Sequence, residues 1–272
     1  MPLNFLFLAV LILVSPCYLG ASNEDHQPFG PDEWPEALDL KVLHASEDSA
    51  DNSSKLSAEE GFAGLMPGEI FERVYPIQNE RYEKIALRSM LQGDGIFFFL
   101  SFTDRETSDG ASSESYQFAP FTPLGALESY EGDLNGDTYP DYVFVKYFNG
   151  NGLAWGYANL ALVLSEGDND FSVQVVETYA PEPKDFISIN GQTAFIHASF
   201  QYGDLCTDGK YHNFWVYRLY SIEDNKIVAA DHLSPDFPKV VFYSFKPNQK
   251  ETNLLTQEAK DALIAESAMV IH

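Results

Sequence analysis

Short carboxylate and amide side chains occupy alternate positions in one stretch of the chain. Counted from Asp133, the residues Asn135, Asp137 and Asp141 stand at the third, fifth and ninth positions. Calcium is a hard cation that takes about six to eight oxygen ligands, and loops supply them from such side chains. The backbone carbonyl of Tyr139 would stand at the seventh position. The spacing therefore predicts a calcium loop whose ligands are Asp133, Asn135, Asp137, Tyr139 and Asp141.

The residues between these ligands bear on the strength of the site. Gly136 suits a tight turn, and Pro140 fixes the backbone before the next strand. The sixth position, where a left-handed backbone favours Gly, holds Thr138, whose β-branched side chain fits that conformation poorly. Phe144 replaces the bidentate Glu of an EF-hand at position twelve, so we expect weak binding, at about 10⁻⁴–10⁻³ M. A metal-free turn is the alternative, because Asp, Asn and Gly favour turns.

Residues 131–145 resemble the Asp-x-[Asp/Asn]-x-Asp-Gly-x-x-Asp loop of FG-GAP and VCBS repeats, apart from Thr138. Such loops occur in integrin-type propellers and in many secreted bacterial proteins. The rest of the chain resembles uncharacterised secreted bacterial proteins. The resemblance covers about fifteen residues, so it implies a local calcium site rather than a whole fold.

A second group of reactive side chains lies between residues 204 and 212. It contains Cys206, Asp208 and His212. A Cys nucleophile needs a base such as His within hydrogen-bond reach, so a secreted hydrolase using Cys206 and His212 is the alternative function. An unidentified pair of carboxylates is another, because its spacing leaves no rule in sequence. A buried Cys206 beside an Asp-Gly turn is the simpler interpretation, and the sequence favours a non-enzymatic role.

The beginning of the chain predicts export. Residues 5–14 are apolar and residues 15–21 are mostly small, which is typical of a signal peptide spanning residues 1–21. Because about 20 apolar residues are needed to cross a bilayer, we expect no stable membrane insertion. The protein is thus predicted to be secreted or periplasmic. Lipid anchoring at Cys17 is disfavoured by Pro16, which stands where a lipoprotein signal needs a small residue.

The net charge of −25 limits the partners. It repels nucleic acid and anionic membranes, so the expected partner is an unknown protein or carbohydrate ligand. Residues 22–60 are rich in Asp, Glu, Ser and Pro, which predicts an acidic and mostly disordered leader. After removal of the signal, Cys206 is the one remaining cysteine, so stability must come from a packed core and from metal.

Residues 61–272 are predicted to form a single β-rich domain. Aromatic and β-branched runs alternate with Gly, Asn, Asp and Pro, which favours a compact antiparallel β-domain, propeller-blade-like or a meander or sandwich. A helix at 256–269, N-capped by Thr256, closes the chain. The predicted strands are 70–74, 84–90, 95–102, 125–130, 142–148, 157–164, 171–179, 193–200, 212–222, 226–232 and 239–245.

Some local patterns predict more detail. Residues 96–100 lack alternation, which indicates a strand covered on both faces, whereas residues 215–220 indicate a half-exposed strand. Hairpin turns are predicted at 168–170 and 223–225. Residues 188–193 echo 133–138 and suggest a repeat that keeps the turn without the metal, although Asn-Gly turns are common enough for chance to explain the likeness.

Overall fold

The computed structural model describes residues 28–29, 34–44, 69–92, 95–106, 112–120, 127–147, 156–167, 170–243, 254–269 and 271. The predicted signal segment 1–21, including Cys17, and residues 45–60 of the leader lie outside this part. Within it the chain is mainly β with one C-terminal helix, which confirms the predicted fold class. None of the helices in these ranges is long and apolar enough to cross a membrane.

The described residues form fifteen strands and one α-helix. In chain order they are β1 (Glu36–Ala37), β2 (Lys41–His44), β3 (Glu69–Pro76), β4 (Tyr82–Gln92), β5 (Gly95–Asp104), β6 (Ser112–Pro120), β7 (Leu127–Gly132), β8 (Asp141–Tyr147), β9 (Tyr157–Ser165), β10 (Phe171–Tyr179), β11 (Phe186–Ile189), β12 (Gln192–Leu205), β13 (Tyr211–Glu223), β14 (Lys226–Ala229), β15 (Lys239–Phe242) and α1 (Gln257–Glu266). The runs β3–β6 and β7–β10 are simple meanders, because strands that follow each other along the chain also lie side by side.

The strands form three antiparallel sheets. Sheet A has the order β1-β11-β12-β13-β14, with β15 also paired to β13. Sheet B has the order β10-β9-β8-β7-β2, and sheet C has the order β3-β4-β5-β6. Two-residue turns join β11 to β12 and β13 to β14, as antiparallel neighbours allow.

Sheet B lies between the other two sheets. One apolar cluster joins Leu100 of sheet C to Phe144 of sheet B. A second cluster joins Val143 of sheet B to Phe195 and Tyr220 of sheet A. Because successive side chains of a strand point to opposite faces, β8 contributes to both clusters. The strands that carry the β7–β8 turn are therefore held rigidly from both sides.

Two predictions of strand exposure are wrong. Residues 96–100 were predicted to be covered on both faces, but Phe98 and Leu100 are buried whereas Phe97 and Phe99 are only half-buried. Residues 215–220 were predicted to be half-exposed, but all except one of them are buried. The reason is tertiary, because separate apolar clusters pack on the two faces of β13.

Part of the acidic leader belongs to the sheets. The short strand β1 pairs with β11, and β2 pairs with β7. Leu40, between them, fills the space that a side chain at Gly132 would need. Residues 34–44 of the predicted leader therefore take part in the fold. Acidic composition does not prevent a backbone from pairing with an open sheet edge, since that pairing uses only main-chain groups.

The C-terminal helix begins as predicted. The hydroxyl of Thr256 accepts a hydrogen bond from Ala259 N at 3.2 Å, which confirms the N-cap. Leu263 is buried together with Cys206 and Phe214. Helix α1 therefore packs on sheet A through one apolar contact region.

Two local predictions can be compared with the observed hairpin turns. Asp224 and Asn225 have φ of +49° and +57°, which is a two-residue primed turn and confirms the predicted turn at 223–225. Ile189 pairs with Gln192 across another two-residue turn. The loop that residues 188–193 were predicted to repeat instead spans the eight residues 133–140, between paired Gly132 and Asp141. The sequence likeness therefore does not extend to the backbone.

Candidate calcium loop

Residues 133–140, which we call the β7–β8 loop, project from two adjacent strands of the central sheet. Gly132 and Asp141 pair at its base. Gly136 has φ of +82° and Thr138 has φ of +73°. These two left-handed residues curl the backbone so that side chains at alternate positions turn back toward it. For a β-branched residue such a conformation costs about 1–3 kcal/mol, and residues held in this way cluster at functional sites.

Asp133 organises the tip of the loop. Its Oδ1 accepts a hydrogen bond from Gly136 N at 2.7 Å, and its Oδ2 accepts one from Thr138 N at 3.0 Å. Each carboxylate oxygen has a second lone pair after accepting one hydrogen bond. The left-handed conformation of Thr138 thus places its N–H on the first of the predicted calcium ligands.

Asn135 and Asp137 continue the same pattern. Asn135 Oδ1 accepts from Asp137 N at 3.0 Å, and Asp137 Oδ1 accepts from Tyr139 N at 2.8 Å. Asn135 and Asp137 therefore each receive the N–H of the residue two positions later. The Tyr139 carbonyl is the backbone oxygen of the predicted ligand set.

Asp141 is the anchor of the loop. It is fully buried, and its Oδ2 accepts from Leu134 N at 2.7 Å and Asn135 N at 3.2 Å. Its Oδ1 accepts from Ser165 N at 2.7 Å and lies 2.9 Å from Ser165 Oγ. Burial raises the pKa of Asp141 to about 6 against the lowering effect of these hydrogen bonds, and the nearby Asp137 raises it further.

Three carboxylate oxygens converge on one hydroxyl. Ser165 Oγ lies 3.2 Å and 3.1 Å from the two oxygens of Asp137, and 2.9 Å from Asp141 Oδ1. A serine hydroxyl has one hydrogen to donate. It can therefore satisfy one of these contacts, and the others bring two electron-rich oxygens together without a hydrogen from Ser165.

The loop also crosses to sheet A. Asn135 Nδ2 lies 2.9 Å from Oδ1 of Asn225, in the β13–β14 turn, and 3.1 Å from the backbone oxygen of Ser165. Asn225 Nδ2 donates to that same oxygen at 3.1 Å, and Ser172 Oγ donates to Asn225 O at 3.3 Å. The loop thus belongs to a polar junction between the central sheet and sheet A.

Sequence reasoning missed Ser165 and Asn225. Neither has a spacing relation to the acidic run, and Asn225 is 90 residues away from Asn135. Ser165 becomes adjacent only because β9 pairs with β8, with Tyr142 opposite Val163. Strand register is the one signal that would have suggested it.

Four of the predicted metal ligands lie in the β7–β8 loop, and Asp141 is the first residue of β8. Across the described ranges, no group of three or more His, Cys, Asp and Glu side chains is arranged to hold a metal ion. Metal binding would thus exchange some of the hydrogen bonds above for contacts to the ion. The donor atoms themselves are all oxygens, which suits a hard cation such as calcium.

The two residues of the alternative thiol site, Cys206 and His212, lie in different surroundings. Cys206 is buried in an apolar cluster with Phe214 and Leu254, whereas His212 Nε2 pairs with Asp208 Oδ2 at 2.9 Å on the exposed side of the hairpin. Apolar surroundings disfavour a thiolate, the form that acts as a nucleophile.

Two further histidines also lie apart from this site. His197 is buried on β12, whereas His232 is exposed after β14.

Comparison with known proteins adds no assignment, because no protein-family model, curated protein or solved structure matches the chain.

Proposed function

We propose that the protein is an exported, mainly β protein whose β7–β8 loop binds one calcium ion, and that it serves as a structural or binding module. The alternation of Asp133, Asn135 and Asp137 supports this proposal, as does the resemblance of residues 131–145 to FG-GAP and VCBS loops. The left-handed Thr138 supports it as well, because it gives the sixth position the backbone conformation that calcium loops need.

The crowding of oxygens around Ser165 carries the proposal. Two carboxylates, Asp137 and Asp141, face a hydroxyl that can donate only once. A divalent cation relieves such oxygen–oxygen contacts, since it attracts every oxygen near it. The charge of Asp137 also contributes to the raised pKa of Asp141, after burial.

The predicted ligands would contribute to calcium binding in different ways. Asp133, Asn135, Asp137 and the Tyr139 carbonyl would supply oxygens directly. Both oxygens of Asp141 are already engaged, so Asp141 would bind only by giving up one of its hydrogen bonds. The ion would then fix the loop and the junction between the two sheets, and it would stabilise the protein because it binds only the folded chain.

The test is a thermal melt of the chelated protein with increasing calcium. With a dissociation constant of about 10⁻⁴–10⁻³ M, about 10 mM calcium should add about 1.4–2.7 kcal/mol of stability. Asp137→Ala should abolish this increase. Asp236→Ala, which removes one exposed carboxylate outside the loop, is the matched control and should keep it.

Two results would contradict the proposal. One is a melting temperature that does not respond to calcium in the native protein. The other is an equal loss of stability in Asp137→Ala with calcium and with chelator, because that loss would then come from the turn alone.

Export has its own test. Residues 1–21 are expected to be removed, so Edman sequencing of the protein recovered outside the cytoplasm should begin after Gly20 or Ala21. An intact Met1 on the recovered protein would contradict cleavage.

A further inference from the structure

One face of the β12–β13 hairpin is aromatic along much of its length. Strand pairing sets Phe200 opposite Trp215 and Tyr202 opposite Asn213. Tyr211 lies two residues before Asn213 on the same strand, so it faces the same side. A bulge between Tyr202 and Leu205 lies next to this point, and bulges increase local twist. Three aromatic rings and one amide therefore share a face with Tyr211.

These rings run from the core to solvent. Trp215 and Phe200 are buried, with ring centroids 4.9 Å apart. Phe200 contacts Tyr202 edge-on at 5.5 Å. Tyr202 and Tyr211 are each 76% exposed, the highest values among the exposed large hydrophobic side chains in the described ranges. Contiguous exposed apolar patches mark interaction sites, and these two exposed rings share one face of the hairpin.

Tyrosine rings pack near the buried tryptophan. Trp215 lies 4.4 Å from Tyr179 and 6.3 Å from Tyr243, measured between ring centroids, and Tyr157 lies 5.3 Å from Tyr179. The pKa of Tyr157 is raised by burial and next by Tyr202. The pKa of Tyr179 is raised to about 12 by burial, then by Tyr243 and Tyr157. Ring contacts through Trp215 and Phe200 join these three tyrosines and Tyr202 in one aromatic cluster.

The tryptophan also has an unsatisfied donor. Its side-chain nitrogen is buried, with no hydrogen-bond partner in the part of the chain that the structure describes. Trp215 as a whole is only 5% exposed. Buried Trp N–H groups are normally paired, but this nitrogen lies beneath the exposed rings and is not itself a contact for a molecule bound at the surface.

We propose that this surface, formed by Tyr202 and Tyr211 with the rim of Tyr157, Tyr179 and Tyr243, binds a neutral oligosaccharide. Pyranose rings present C–H faces that stack on aromatic rings, and their hydroxyls hydrogen-bond to tyrosine hydroxyls. None of the five side chains carries a charge near neutral pH. Tyrosine serves well in such sites because it offers a rigid ring and a polar tip.

Charge decides between ligand classes. Nucleic acid bases also stack on aromatic rings, but binding them requires a basic groove for the phosphates, and this chain has a net charge of −25. Glu177, whose charge acts on Tyr157, would likewise repel an acidic sugar. The proposed ligand is therefore neutral. The surface lies on β12 and β13 rather than in the β7–β8 loop, so this inference holds whether or not the loop binds calcium.

Affinity electrophoresis of the full chain tests the proposal. Native gels contain hydroxyethylcellulose, barley β-glucan, soluble starch or galactomannan, and a separate gel contains the polyanion alginate. At least one neutral polymer should retard the protein, and alginate should not. Tyr202→Ala and Tyr211→Ala should each weaken the retardation by about tenfold in affinity, as expected for central aromatic contacts. Tyr202→Phe should retain most of it, because the ring remains.

Val74→Ala is the control, because Val74 is also exposed but lies on sheet C. It should not change the retardation. The tyrosine variants should keep the native melting temperature, since both rings are mostly exposed.

Failure of all four neutral polymers to retard the protein would overturn the proposal. Equal retardation of Tyr202→Ala, or retardation by alginate alone, would also overturn it. Sedimentation velocity tests whether a second copy of the chain covers this surface instead. A dimer that dissociates on the substitution Tyr202→Ala would show this and would overturn the proposal.

Discussion

Asn135 and Asn225 meet across two sheets, with Asn135 Nδ2 at 2.9 Å from Asn225 Oδ1. The first belongs to the β7–β8 loop and the second to the β13–β14 turn. Asn225 also bonds the backbone oxygen of Ser165, so one side chain joins the loop, β9 and sheet A. Removal of that side chain should therefore weaken the junction without altering the turn.

Asn225→Gly isolates this contribution. Glycine accepts the φ of +57° found at Asn225, so the turn is kept while the amide is lost. We expect a loss of about 1–2 kcal/mol, the usual range for buried hydrogen bonds, measured by urea denaturation. Asn190→Gly is the control, because Asn190 has φ of +53° in another hairpin and its side chain makes one long bond of 3.4 Å. Equal losses of stability in the two variants would contradict a stabilising role of the Asn225 side chain at this junction.

Thr138→Gly tests the strained position of the loop. Thr138 has φ of +73°, which glycine adopts without a steric penalty. We expect the chelated variant to be more stable than the native protein by about 1 kcal/mol, and to bind calcium more tightly in titration calorimetry. Gly136→Ala is the opposing control. It meets no atom within 4 Å but has φ of +82°, so it should destabilise through the backbone alone. A less stable Thr138→Gly variant would argue against stored strain.

His197 should make the protein sensitive to acid. Its Nε2 donates to Glu177 O at 3.0 Å, and its buried Nδ1 has no partner among the described residues. Burial lowers the pKa of His197 to about 4, the hydrogen bond to Glu177 opposes this shift, and Arg218, paired across the strand, adds to it. The folded chain therefore resists a proton that the unfolded chain accepts near pH 6.5.

The resulting pH window follows from linkage. The pKa of His197 is lower in the folded protein than in the unfolded chain. The protein therefore loses stability as the pH falls from the pKa of the unfolded chain toward that of the folded protein. Between about pH 6.5 and pH 4, His197 should lower the free energy of unfolding by up to about 3 kcal/mol. His197→Gln keeps a donor but cannot titrate there, so its stability should fall less steeply over this window in urea denaturation. The exposed His232→Gln is the control and should follow the native curve. Identical slopes for His197→Gln and the native protein would contradict this role.

Cys206 should be unreactive in the native state. It packs with Phe214, Leu254 and Leu263, and such surroundings disfavour the thiolate. In a Cys17→Ser background, where Cys206 is the only thiol, a chromogenic disulfide reagent should react slowly before unfolding and rapidly in urea. Fast labelling of the folded protein at low pH, slowed by His212→Ala, would instead favour the hydrolase alternative.

Several elements were predictable because their signals are local. The capping hydroxyl of Thr256, the turn at Asp224-Asn225 and most long strands follow from propensity and short-range hydrogen bonds. Strand β6 was missed because its sequence, Ser-Ser-Glu-Ser-Tyr-Gln-Phe-Ala-Pro, has little apolar alternation. The exposure of β5 and β13 was mispredicted for a different reason, since it depends on which cluster covers each face.

The sequence by itself determined the β class and the alternation of acidic and amide residues that predicts the calcium loop. Both depend on residues close together in the chain. Only the tertiary structure decided that Ser165 and Asn225 complete the surroundings of the loop, and that Tyr157, Tyr179, Tyr202 and Tyr243 lie around Trp215. These groups come from strands far apart in sequence, and strand register and sheet stacking bring them together, which no local spacing encodes.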